Sequence, residues 1–289
     1  MPKKKPVRLP RYDITKKFET LSGSVYYNIG DPTENLILWA RPATQDVIPS
    51  TMEDGSTGGH DVSFNNAALN LEAQNIVFPF NQFSNTKSAV RFPKNNAAFI
   101  EVDDEDDLSF GDGSSDTSFS FATWVLLTSG SCTLTLMNKT NEYGLHLKDQ
   151  KLTGTLKDQS ASAFLNFSAD TSSLVQEGRF HHIAFTYNSS ASETSRGKFY
   201  FDGKDIATAG QEVGSYTAME ALTNNLVLAD NDGNQATEFQ EAALWSGKVL
   251  TAEEVNALYE AASGLNNAQK EQVLITSTGI TSLPTRLFL

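Results

Sequence analysis

The sequence predicts an all-β fold: two antiparallel sheets packed face to face, one short C-terminal helix, and extended arms at both ends. Three observations predict it. Arg179 to Gly203 reads RFHHIAFTYNSSASETSRGKFYFDG, two aromatic and β-branched runs, Phe180–Tyr187 and Lys198–Asp202, joined by a polar loop. Alternation there puts Ile183, Phe185 and Tyr187 on one side and Phe180, His182, Ala184 and Thr186 on the other. Both sides carry bulk, as expected inside a sandwich of two sheets. Helical spacing is convincing in one segment, Thr251–Ala262. The hydrophobic content of 39% is enough for a sizeable core.

Residues 1–34 contain Pro2, Pro6 and Pro10, which break any helix, and Ser24–Ile29 reads as a short strand. Asn35–Ala40 is a strand, and Thr51–Asp61 is a Gly-rich polar loop. Val77–Phe80 and Ser88–Phe92 are short apolar pieces, and Ala97–Val102 is a strand. Phe119–Leu127, Tyr143–Leu147 and Lys151–Leu156 alternate as strands. The central hairpin follows, with Asp202-Gly203 as its closing turn, then Asn225–Ala229 and Ala242–Trp245. Thr251 with Glu254 forms a capping box, Val255, Leu258, Tyr259 and Ala262 form the apolar stripe, and Gly264 ends the helix. Gln272–Ser277 reads as a strand in the last segment.

The run FHHIAFTYN…GKFYFDGK resembles the signature hairpin of the laminin-G/pentraxin-like group of concanavalin A-like jelly rolls. That family reads Trp-His-His-Val-Ala-x-Thr-Tyr, a loop, then Tyr-x-Asp-Gly, and Phe180 stands where Trp is usual. Ala89–Gly111 resembles the early strand with its acidic turn, Phe119–Leu127 the Phe-Thr-x-x-x-Trp-Val strand, and Glu238–Tyr259 the last strand and closing helix. The resemblance covers residues 35 to 262. It implies a concanavalin A-like jelly roll over residues 35–263, between a basic N-terminal arm (residues 1–34) and a C-terminal extension (residues 264–289). It specifies the fold far better than the function, because this fold hosts lectins, adhesion modules, glycosidases and structural domains.

Charge is unevenly placed. Residues 1–17 hold seven of the 22 Lys/Arg and one of the 35 acids, so the remainder carries a net charge of −19. A body this acidic repels nucleic acid and anionic membranes, whereas the basic arm does the opposite. The single cysteine, Cys132, excludes an intramolecular disulfide and reads as a small core residue. Met1-Pro2-Lys3-Lys4-Lys5 is followed by no apolar h-region, and no run reaches transmembrane length, which predicts folding in a cytoplasm. The Asn-x-Ser/Thr triplets at Asn138, Asn166 and Asn188 then read as chance matches.

Four groups of residues invite a chemical reading. His181 and His182 are adjacent on a strand, so they point to opposite faces and cannot chelate one ion together. Glu101, Asp103 and Glu105 share a strand face by alternation, and the glucanase branch of the family uses a Glu-x-Asp-x-x-Glu-type strand. A retaining glycosidase needs carboxyls about 5–5.5 Å apart, whereas i, i+4 on a strand spans about 13 Å. Asp104 also replaces the apolar residue of that strand, so Asp103–Asp107 reads as a solvated turn or cation site.

Calcium takes six to eight oxygens from loops. Glu53-Asp54 with Ser56 and Asp61, the run Asp103–Asp107, and Asp230-Asn231-Asp232-Gly233-Asn234 are the candidate donors. The family resemblance implies a calcium between an Asp-x-Ser-Gly loop, here Asp54-Gly55-Ser56, and an Asp-Glu pair that is Gln240-Glu241 here. The candidate ligands are therefore Asp54, Asp61, Asp103, Asp230, Asp232 and Glu241, for a structural Ca²⁺. Trp39, Trp124 and Trp245 fall on strands and read as core, while Tyr216 and Phe83 lie in loops. No catalytic or phosphate-binding motif is present in the sequence.

These features predict a non-enzymatic structural and interaction protein. The expectation is a virion component, such as a phage capsid decoration, head-fibre or tail protein, whose arms (1–34 and 264–289) bind protein partners in the assembly and whose loops touch host-surface glycans. The alternative is a free, extracellular glycan-binding module, and the third is a glycoside hydrolase acting through Glu101.

Overall fold

The computed structural model describes residues 35–41, 51–54, 56, 58–65, 68–70, 89–92, 98–127, 133–230 and 237–263. The arms at 1–34 and 264–289, Val77–Phe80, Phe83, Cys132 and Asp232 lie outside the described residues, as do the strands expected at Ser24–Ile29 and Gln272–Ser277.

In chain order the strands are β1 (Leu36–Arg41), β2 (Thr51–Asp54), β3 (Val62–Asn65), β4 (Ala68–Asn70), β5 (Ala89–Phe92), β6 (Phe99–Val102) and β7 (Phe119–Leu127). They continue with β8 (Thr133–Lys139), β9 (Tyr143–Lys148), β10 (Lys151–Asp158), β11 (Ala163–Asp170) and β12 (Arg179–Tyr187). Then come β13 (Gly197–Phe201), β14 (Lys204–Asp205), β15 (Ala209–Val213), β16 (Leu226–Asp230) and β17 (Thr237–Ser246), before the helix α1 (Ala252–Ser263).

All pairings are antiparallel and build two sheets. The front sheet runs β2-β1-β17-β7-β12-β13-β14. A bulge between Phe239 and Ala242 divides the free edge of β17, so β5 pairs with Thr237–Phe239 while β1 pairs beyond it. The back sheet runs β2-β3-β6-β16-β8-β9-β10-β11-β15. β2 belongs to both, pairing through Glu53 and Asp54 with β1 and through Thr51 and Met52 with β3. The polar loop expected over Thr51–Asp61 is thus corrected in its first four residues. They form a corner strand, paired with β1 at one end and β3 at the other.

Ile183, Phe185 and Tyr187 join Phe119, Phe121, Val125, Leu145, Leu156 and Phe167 in the core between the sheets. The other side of β7 and β12 faces α1, not a sheet. Ala122, Ala184, Tyr200 and Trp245 pack with Val255, and Trp124, Leu126 and Phe180 pack with Tyr259. The bulk on both faces of the central hairpin therefore has two causes, one of them the helix. The capping box forms as expected: the Thr251 N–H donates to Glu254 Oε2 (2.8 Å) and the Glu254 N–H to Thr251 Oγ1 (3.2 Å). Asp202-Gly203 turns with φ of 49° and 76°, both positive as a two-residue hairpin turn requires.

A candidate ligand face on the back sheet

Among the described residues, no helix lies over the outer face of the back sheet. Buried and half-exposed residues alternate along β10 and β11. Register aligns the outward residues in rows. One row crosses seven strands: Glu101, Val227, Asn138, Gly144, Thr155, Asn166 and Gln211. At the usual strand spacing it is about 29 Å wide. The next row runs Asp230, Thr135, His146, Thr153, Ser168, and a third runs Thr133, Lys148, Lys151, Asp170.

Thr133, Thr135, His146, Lys148, Asp149, Lys151 and Thr153 line an open groove of about 600 Å³ on this face. Thr135 Oγ1 lies 3.2 Å from His146 Nδ1, and the Thr155 hydroxyl donates to Asn166 Oδ1 (3.0 Å). Gly144 lets these side chains close over the strand: a Cβ there would stand 2.8 Å from His146 Nε2 and 3.0 Å from Asn138 Oδ1, too close for either to keep its place. The hairpin turn Asp149-Gln150, with φ of 49° and 62°, sets Lys148 opposite Lys151 at the groove's end. Hydroxyl, amide and imidazole groups spread over a shallow surface can exchange hydrogen bonds with a polyhydroxylated ligand. The sequence shows these residues only as polar positions in alternating strands. Which rows they share depends on the register of the successive hairpins β8–β9 and β9–β10.

Of the six candidate metal ligands, Asp232 and the side chains of Asp54 and Glu241 lie outside the described residues, while Asp61, Asp103 and Asp230 are described. Asp61 and Asp103 are neighbours, the Asp103 N–H donating to the Asp61 carbonyl (3.4 Å), and both are exposed. Asp230 stands beside Thr135, at the far end of β16 from Val102, about 13 Å along the strand. Asp54 and Ala242, the neighbour of Glu241, both register with Ala40, so β1 separates Asp54 from the strand of Glu241. Among the described residues, no group of three or more His, Cys, Asp or Glu side chains is arranged to hold a metal ion.

The acidic run also differs from its reading as one strand face. β6 ends at Val102, and a 3-10 turn occupies Asp106–Leu108, so alternation does not carry Glu101, Asp103 and Glu105 onto a common surface. Nor is the turn simply solvated. Asp107 Oδ1 lies 3.0 Å from Nε2 of the buried His60, and Asp104 Oδ1 lies 2.8 Å from Nζ of the buried Lys139.

The two histidines separate as expected. His181 faces the core side against Phe201 and sets Nδ1 3.0 Å from Asp202 Oδ2. His182 faces α1, between Trp124 and Tyr259. Asp202 also accepts the His182 N–H on Oδ1 (2.9 Å), so the Asp of the hairpin turn ties both histidines to the turn. Trp124 and Trp245 are buried, and the Trp39 side chain is outside the described residues. Tyr216, expected in a loop, is in one but buried: its hydroxyl donates to Asp116 Oδ2 (2.8 Å), which Tyr187 also reaches. Burial pushes the Asp116 carboxyl above the usual carboxylate range, with the Tyr187, Met219 and Tyr216 hydrogen bonds opposing.

Fold and sequence agree on the class. The family model of the concanavalin A-like lectin/glucanases superfamily matches residues 100–256, over half of the chain, and the chain belongs to that family. No curated protein matches it in sequence. Among solved structures it is similar to the binding domain of Paraclostridial Mosquitocidal Protein 1, at 14% identity and a TM-score of 0.55, over 79% of this chain and 52% of that one. It is similar to a botulinum neurotoxin type C structure, from a toxin whose cell entry depends upon interaction with two ganglioside molecules, at 18% identity and a TM-score of 0.55, over 80% and 52%. The binding domain of botulinum neurotoxin DC in complex with SialylT is similar at 14% identity and a TM-score of 0.54, again over 80% and 52%. The chain thus spans about half the length of these structures, and at such identities the likeness is one of fold.

Proposed function

We propose that this protein is a non-enzymatic, lectin-like interaction module that binds glycans on the outer face of its back sheet. The observation that carries the reading is that face: rows of Thr, Asn, Ser and His in register, left open around a groove of about 600 Å³. The ganglioside dependence of one toxin with this fold, and the SialylT complex of another, support a glycan as the ligand class. The acidic run supports no hydrolase, because its carboxylates are divided between a strand end, a 3-10 turn and an ion pair with Lys139.

The setting we propose is the surface of a virion or a comparable assembly. Its support is the charge asymmetry: seven basic residues in the first seventeen attach to particle proteins, together with residues 264–289, while the acidic body faces outward. An extracellular module acting alone is the second setting.

The test is a glycan array probed with the full chain, with calcium present and with calcium chelated. We expect binding that Gly144→Ala and His146→Ala each reduce at least tenfold, with melting temperatures near that of the wild type. A methyl at position 144 would push the His146 ring and the Asn138 amide from their places on this face. Binding unchanged by both substitutions, or none to any glycan, overturns the reading. Loss on chelation would assign calcium to the site, and unchanged binding would dismiss it.

A further inference from the structure

Lys139, at the end of β8, is fully buried. Its Nζ lies 2.8 Å from Asp104 Oδ1, 2.5 Å from Glu142 Oε1, 3.0 Å from Ser109 Oγ and 2.5 Å from the Leu222 carbonyl. An ammonium has three protons for these four acceptors. Glu142, in the β8–β9 turn, is also fully buried. Its Oε1 accepts the Leu222 N–H as well (2.9 Å), and its Oε2 has no hydrogen-bond partner among the described residues. Phe110, Phe119 and Tyr143 stack close by, and the Tyr143 hydroxyl is spent on the Leu108 carbonyl (2.7 Å).

A buried ion pair with an orphaned carboxylate oxygen is a costly way to hold two strands, since apolar residues would do it with less desolvation. A lysine amine against one carboxyl, with a second and drier carboxyl against the same nitrogen, has a different use. We infer that Lys139 and Asp104 condense into an intramolecular amide bond, with Glu142 as the proton carrier. Nζ gives a proton to Glu142 Oε1, and Glu142 passes it to one Asp104 oxygen, so that a neutral amine faces a neutral carboxylic acid. The freed lone pair then attacks Asp104 Cγ. A second Nζ proton follows the same route to the Asp104 hydroxyl, and the Cγ–O bond breaks as the oxygen leaves as water. Nζ keeps one proton, the new Nζ–Cγ bond is an amide, and Glu142 ends as it began.

No oxidant, metal or external acyl donor enters the balance. Burial pushes the Glu142 carboxyl above the usual range, opposed by its contact with Lys139, which suits a group that must hold a proton in transit. The fixed contact replaces a bimolecular encounter, and the burial of Lys139 and Glu142 keeps the amine and its proton carrier out of water. Asp104 is anchored for attack by its own N–H, which donates to Asn225 Oδ1 (3.1 Å). The product ties the turn after β6 to the end of β8, the two strands that flank β16, and so clamps the sheet that carries the polar face. The inference is independent of what that face binds.

Intact-mass spectrometry of the full chain, followed by peptide mapping, tests it. The expected mass is that of the sequence less one water, with Lys139 and Asp104 in one branched peptide. Glu142→Gln, which cannot take up the proton, and Lys139→Arg, whose guanidinium is no nucleophile, are each expected at full mass. A folded wild-type chain at full mass after prolonged incubation, with both residues in linear peptides, overturns the inference and leaves an ion pair only. That result does not depend on any variant folding.

Discussion

His182 shows how one side chain can make the fold sensitive to acid. It is fully buried between Trp124 and Tyr259, and its Nδ1 has no hydrogen-bond partner among the described residues. Burial holds its pKa down to about 4, with the Asp202 carboxylate opposing. The unfolded chain has the ordinary value near 6.5, so between these two values it binds more protons than the native state. The stabilisation is therefore complete above the unfolded value and is lost as pH falls toward the folded one. The raised carboxyls of Asp116 and Glu142 act with the opposite sign, favouring the native state toward lower pH. Comparison with a variant isolates the histidine. Between about pH 7 and about pH 5, wild-type protein should lose roughly 2 kcal/mol more unfolding free energy than His182→Phe, measured by urea denaturation. Equal slopes would show that His182 is not held neutral.

α1 explains why β7 and β12 have almost no exposed position. Every residue of β7 is buried, and every residue of β12 after Arg179. A strand pair that faces solvent on one side alternates, as β10 and β11 do. The helix covers the second side with Val255, Leu258 and Tyr259, and Tyr259 stacks on Trp124 with ring centroids 5.6 Å apart. Its start is set by two reciprocal hydrogen bonds between Thr251 and Glu254. Thr251→Ala should lower stability by about 1 kcal/mol, and Thr251→Ser should restore most of it, since the hydroxyl is the acceptor. A Thr251→Ser variant as weak as Thr251→Ala would mean that the methyl's packing, not the cap, is responsible.

The sheets close around one core, and their edges meet in β2 at the corner. Residues 35–263, the span of the jelly-roll resemblance, are proposed as the unit that folds alone. If the outer segments attach the domain to an assembly, light scattering after size exclusion should find the 35–263 fragment monomeric and the full chain in a larger species. A monomeric full chain that also fails to bind isolated particle proteins would remove the assembly setting and leave the domain to act alone.

The sequence by itself determined the long core strands, the helix and its cap, the turn at Asp202-Gly203, and the family, while β2, β3, β4 and β15 went unread. Each rests on local periodicity, on residues with strong backbone preferences, or on a motif written in consecutive positions. It also separated His181 from His182, because alternation needs no partner strand. Only the tertiary structure decided what each face meets. The bulk on the outer side of Phe180 and Ala184 belongs under a helix some seventy residues away in the chain, and Tyr216 is buried because Asp116 needs its hydroxyl. The polar rows on the back sheet, and the meeting of Lys139 with Asp104 and Glu142, arise from strand register and loop closure. Across β8 to β11 the rows come from the register of successive hairpins, and the distant partners, Glu101, Val227, Asp230 and Asp104 among them, join by pairings that a pattern repeating every two residues leaves unspecified.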